Sequence, residues 1–169
     1  QMRERSLPLF SLETFTEIKA FDFFGFSLQY EMIYSNVLNM LDLAGIPIWT
    51  RERREEDPFI LGGGPCVYNT EPICDFFDLF IIGEGEEVIS ELAELFIRWK
   101  KAGRQGGRKG FLLQAAQLPG IYVPSLYEPQ YDENGMFSGL KVLAGEAKPV
   151  IYKRVVQDMD AVQFTEKPV

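Results

Sequence analysis

Three short apolar runs, each leading through a turn into a helical stretch, constrain this chain more than any other feature. "FDFFGFSLQ" (Phe21–Gln29) is β-rich and apolar on both faces, which suits a buried parallel strand. "EMIYSNVLNMLDLAG" (Glu31–Gly45) follows, with Ile33, Val37, Met40, Leu41 and Ala44 on one helical stripe. Gly45 offers a left-handed cap and Pro47 prevents continuation. The charged loop "TRERREED" (Thr50–Asp57) reads as a solvated connection. "PFILGGG" is the second strand, and "EPICDFF" (Glu71–Phe77) a short helix with Pro72 near its start. "DLFIIG" (Asp78–Gly83) is the third strand. The stretch Glu86–Gly103 is the clearest helix: Val88, Leu92, Leu95, Phe96 and Trp99 form its stripe, its start is acidic and its end basic. "GRQGGRKG" then reads as a flexible joint, "FLLQAAQL" as a short helix and "PGIYVP" as a fourth strand. Alternation at this spacing predicts βαβ units and a parallel sheet.

From Tyr127 the pattern changes. The segment Tyr127–Leu143 alternates around Asn134-Gly135, a strong hairpin signal. "KPVIYKRVV" (Lys148–Val156) offers a third strand beside it. The expected organisation is an α/β domain over 1–126, a β-hairpin extension over 127–156 and a linker over 157–169.

Composition narrows the function. The net charge of −8 disfavours phosphate backbones, so direct nucleic-acid binding is not expected. The cluster Arg98, Lys100, Lys101, Arg104, Arg108 and Lys109 fits a helix C-terminus better than an anion or RNA patch. There is no histidine, which removes Ser-His-Asp and Cys-His catalysis and any histidine ligand to a metal. Cys66 and Cys74, in an acidic chain whose "QMRERSLPLF" opening has no apolar signal core, read as free thiols of a cytoplasmic protein. No apolar stretch approaches the length of a membrane span. The Gln1 start suggests a piece of a longer polypeptide.

Two glycine clusters, Gly62-Gly63-Gly64 and Gly83-Glu84-Gly85, follow strands two and three. Ligands of open parallel sheets bind at that strand edge. Glycine there lets backbone approach a flat or phosphate-bearing group, or else permits tight turns and close packing of the chain on itself. The second cluster runs into a helix N-terminus, which offers free N–H groups. Ser27, Leu28, Gln29 and Tyr30 end the first strand on the same edge. Neither cluster is a full GxGxxG or Walker A pattern. Glu84 and Glu86 as an acid–base pair are weaker than Glu86 serving the first helical turn. Cys66, after Pro65, reads as an inert thiol rather than a nucleophile. Tyr30 and Tyr68 can stack on a ring or pack at a rim.

The order "GFSLQY…NMLDLAGIP…GGGPC…NTEP…DFFDLFIIGEGEE" resembles the N-terminal, B12-binding-like domain of an uncharacterised bacterial group of radical SAM proteins. The family pattern of Gly-Gly-Pro, then Asp-x-x-x-x-Gly-Glu-Gly-Glu, falls on Gly63, Gly64, Pro65, Asp78, Gly83, Glu84, Gly85 and Glu86. Ser27 matches a serine at a strand end of that family. The resemblance implies a flavodoxin-like, cobalamin-binding-like sheet whose first strand lies upstream of Gln1. It implies an accessory domain that positions base-off cobalamin or a substrate. Gly62, Gly63, Gly64, Pro65, Gly83, Glu84 and Gly85 would then make backbone contacts, and Ser27, Gln29 and Tyr30 would line the opposite wall. The iron-sulfur cluster, S-adenosylmethionine and any catalytic step would belong to a downstream radical SAM barrel, the partner in the same polypeptide. The cobalamin motif Asp-x-His-x-x-Gly and the cluster motif Cys-x-x-x-Cys-x-x-Cys are absent here. Two alternatives follow: a degenerate interaction or capping module for the barrel, and a flavin or nucleotide binder. A missing first strand would also leave an open sheet edge that favours a homodimer.

Overall fold

The computed structural model describes residues 2–145 and 147–162. They fall into two compact units, divided between Asp78 and Leu79. Among the described residues no helix is long and apolar enough to cross a membrane.

The first unit is built on a parallel pair. Strand β1 (Phe23–Ser27) lies beside β2 (Phe59–Gly63) in a register that sets Phe23 against Phe59 and Ser27 against Gly63. Helix α1 (Tyr34–Leu43) connects them. Its stripe is as expected: Val37, Leu41 and Ala44 are buried, and Gly45 takes the left-handed conformation (φ 65°) after the helix. The doubly buried β1 that its composition suggested is not observed. Phe23, Phe24 and Phe26 are only half-buried, while Gly25 and Ser27 are exposed. Leu28, one residue past the strand, is the fully buried one.

The loop 50–57 is not simply solvated. Arg53 and Asp57 are buried. The Arg53 guanidinium donates to Asp78 Oδ2 (2.8 Å) and to the carbonyls of Pro47, Ile48 and Phe76. Asp78 Oδ2 also accepts from Ile60 N–H (2.7 Å), so one carboxylate ties the loop to the start of β2. Burying an ion pair is tolerated where the remaining polar atoms are hydrogen-bonded, as here. The expected helix at Glu71 forms as a 3-10 segment, Glu71–Phe76.

The second unit starts with β3 (Leu79–Ile81), then α2 (Glu86–Lys101), α3 (Gly107–Ala115) and β4 (Ile121–Tyr122). In α2 the buried stripe is Val88, Leu92, Phe96 and Trp99. Strand β4 pairs with β3 antiparallel, correcting the all-parallel expectation. One crossover helix returns the chain to run parallel; here two helices pack together, with Phe96 and Trp99 each 5.3 Å from the Phe111 ring, and the chain re-enters reversed.

The joint at "GRQGGRKG" is half helix. Gly106 (φ 73°) precedes α3, and Arg108, expected in a surface cluster, is buried. A Cβ on Gly110 would lie 2.4 Å from the Gln105 carbonyl, so this glycine serves close packing rather than flexibility. Arg98, Lys100 and Lys101 do occupy the last turn of α2.

The hairpin forms as expected, β5 (Tyr127–Tyr131) against β6 (Phe137–Val142), with Gly135 at φ 76° in its turn. It has two strands, not three. The segment 148–156 makes no third strand on it; Arg154 instead forms a single parallel bridge to Gly83. Residues 163–169 of the expected exit linker lie outside the described residues. Within 157–162, Met159–Ala161 forms a 3-10 turn in which Asp160 N–H donates to the Asp158 carboxylate.

Candidate functional site

In the first unit the structure brings Ser27, Gln29, Tyr30, Gly62, Gly63, Gly64 and Pro65 to the C-terminal end of β1 and β2. Leu28 N–H donates to Gly63 O (2.7 Å), and Cys66 N–H donates to Leu28 O (3.0 Å). These bonds zip the two strand-end loops together. Gly64 has φ 95°, and a Cβ there would sit 3.0 Å from Leu28 O. Its lack of a side chain is therefore spent on the chain itself.

Gly63 differs. A Cβ on it would meet nothing within 4 Å, and the same holds for Gly25. By the parallel register, Gly25, Ser27, Leu61 and Gly63 share one face of the pair. The C-terminal half of that face is paved by two glycines and a serine. Gln29 Nε2 donates to Ser27 Oγ (2.8 Å) at its edge. Tyr30, Met32 and Tyr68, from the two following loops, are exposed. Physically this is a bare shelf of sheet with a few polar and aromatic groups at its margin.

At the start of α1, burial foremost, then the neighbouring Cys66, pushes the Tyr34 phenol above its ordinary range. Burial first, and then the charges of Glu71 and Asp75, push the Cys74 thiol up to about 11. Cys74 is thus a protonated thiol at neutral pH, without the thiolate that nucleophilic or ligand chemistry needs. Neither cysteine is bridged. Among the described residues no group of three or more His, Cys, Asp or Glu side chains is placed to hold a metal.

In the second unit, Gly83, Glu84 and Gly85 lie between β3 and α2. Gly83 has φ 99°, and a Cβ on it would fall 2.2 Å from Arg154 O and 2.6 Å from Arg154 N. Arg154 N–H donates to Ile82 O (2.7 Å), and Glu84 N–H donates to Arg154 O (3.1 Å). The Glu84 side chain accepts from Val156 N–H. Glu87 and Glu91, one turn apart on α2, receive the Arg154 guanidinium at 2.7 and 2.6 Å. Those hydrogen bonds, Glu87's first, raise its already high pKa further. A Cβ on Gly120 would also press on Arg154, 3.0 Å from its Cβ. Gly85 directly precedes α2 and Glu86 opens its first turn, as expected.

The expected cofactor-binding glycines thus differ in what lies beside them. At Gly64 and Gly83 the space a side chain would enter holds the chain's own backbone. At Gly63 the space is open. Sequence reasoning missed Arg154, Glu87 and Glu91, which complete the second cluster, and Arg53, which completes Asp78. An arginine 71 positions from its glycine leaves no local signal.

A parallel β–α–β pair with glycine-lined strand ends, followed by an antiparallel strand pair with two helices between, defines an α/β protein. Residues 1–124 match the family described as "Radical SAM proteins, N-terminal", and the chain belongs to that family. It is also similar to an uncharacterised protein of the archaeon Methanocaldococcus jannaschii, 36% identical over 87 residues, which are 50% of this chain and 18% of that protein. The chain therefore spans a small part of this relative, which is archaeal where a bacterial group was expected. No solved structure matches the chain significantly.

Proposed function

We propose that this chain is an accessory domain that seats against the radical SAM domain of the same polypeptide and contributes no catalytic group of its own. The finer fold reading, a flavodoxin-like sheet related to B12-binding domains, belongs to the same proposal and is supported by the parallel β1–α1–β2 unit. The single observation that carries the capping role is the filling of Gly83. The "GEGEE" stretch, which in a cofactor domain would face a ligand, receives the backbone and guanidinium of Arg154. Titration with hydroxocobalamin and methylcobalamin, read by absorbance and calorimetry, tests this. The expected result is no saturable binding at high micromolar cofactor. Saturable binding with a base-off spectrum overturns it.

A second reading is favoured by one specific observation, the open space at Gly63 and Gly25. Here the shelf on β1 and β2 seats base-off cobalamin or a flat substrate, with Ser27, Gln29 and Tyr30 at its margin. Gly63→Val is the discriminating variant, because its Cβ enters the shelf with no protein atom within 4 Å. Binding lost in Gly63→Val and kept in Gly85→Ala would support the shelf.

A further inference from the structure

The hairpin is amphipathic in a way that needs a cover. The cross-strand pairs Pro129–Leu140 and Tyr131–Phe137 place apolar groups opposite one another. The Tyr131 and Phe137 rings meet edge to face at 6.4 Å. Yet Tyr131 is 63% exposed, Phe137 55% and Leu140 39%. The neighbouring pair, Glu128–Lys141, is charged, with 3.4 Å between Lys141 Nζ and Glu128 Oε2. One face is therefore ion-paired and suited to water, the other apolar and bare. A two-stranded ribbon alone is marginally stable in water, and contiguous exposed apolar surface marks an interaction site.

We infer that the Pro129–Tyr131–Phe137–Leu140 face is the surface on which the radical SAM domain of the same polypeptide docks. This rests on the accessory-domain reading above. Two observations select that occupant. The family match ends at residue 124, and the hairpin begins three residues later, at Tyr127. The archaeal relative is more than five times as long as the stretch it shares with this chain, so related polypeptides carry ample further structure. Val150, Tyr152 and Val155, in the segment that carries the Arg154 anchor, are exposed apolar side chains as well. That anchor fixes Arg154 beside Gly83.

The test is hydrogen exchange on the full polypeptide, comparing wild type with Tyr131→Ser/Phe137→Ser and with Glu128→Gln/Lys141→Gln. In wild type the hairpin amides and a patch on the radical SAM domain are protected. The apolar double variant is expected to speed exchange about tenfold or more at both surfaces while α2 stays protected, since docking and core opening are separate events. The polar-face variant is expected to leave the patch unchanged. Loss of protection confined to the hairpin overturns the inference while leaving the accessory reading intact. No protected patch on the radical SAM domain in any variant overturns both. Light scattering that shows a dimer of the full polypeptide, made monomeric by the apolar variant, assigns the face to a second copy and also overturns it.

Discussion

The backbone of Arg154 occupies the space that a Cβ on Gly83 would need, 2.2 Å from the Arg154 carbonyl oxygen. The relationship explains why glycine stands there. A side chain at φ 99° is strained in any surroundings, and here it would also expel the segment that bridges to the strand end.

Gly83→Ala is expected to destabilise the domain by about 1–3 kcal/mol from backbone strain alone, with the clash adding to it. Gly63→Ala, whose Cβ meets nothing within 4 Å and whose φ is not positive, is expected to stay within about 0.5 kcal/mol of wild type. Urea unfolding followed by tryptophan fluorescence compares the two. Equal midpoints would remove the packing explanation for Gly83.

Arg53→Met leaves the Asp78 carboxylate buried without its cation. The expected cost is about 3–5 kcal/mol, the range for breaking one side of a buried pair. Asp78→Asn keeps an oxygen for Ile60 N–H and should cost less. A double-mutant cycle on Arg53 and Asp78 should return a coupling of about 1 kcal/mol or more. Additive effects would contradict a shared network.

Arg154→Gln keeps the backbone bridge and removes the ion pairs. Glu87 and Glu91 are 41% and 37% exposed, so solvent screens the interaction. The expected loss is about 1 kcal/mol or less, shrinking further in high salt. Thermal melts of wild type and variant at low and at molar salt test it. A difference that does not shrink with salt would point to packing of the arginine stem instead.

Cys74 should be slow to alkylate. Its folded thiol is raised to about 11, against about 8.5 for a free thiol. The protonated form is therefore favoured by folding. The associated stability is fully present below the unfolded value and is lost as pH rises toward the folded one. In a Cys66→Ser variant, iodoacetamide labelling at pH 8 should be far slower than for an unfolded control. Labelling at the unfolded rate in folded protein would show that the thiol is accessible and ionised.

What the sequence by itself determined is the local part. Hydrophobic spacing located α1 and α2, because each buries one helical stripe whose period is set by backbone geometry, and short apolar runs located β1, β2 and β3. Asn134-Gly135 located the hairpin, because its turn needs residues that accept positive φ. The order of glycines, proline and acids carried the family resemblance. Only the tertiary structure decided what those residues face. Gly64 and Gly83 look alike in sequence to Gly63, yet two are filled by Leu28 and Arg154 while the third opens on empty space. The loop 50–57 reads as solvated, yet Arg53 is buried because Asp78 and three carbonyls happen to converge on it. Strand β4 runs antiparallel because α2 and α3 pack as a pair, a choice made by Phe96, Trp99 and Phe111 together. Each is a long-range coincidence of backbone or charge. Local pattern cannot encode it, because the partner lies outside the stretch and contributes no periodicity to it.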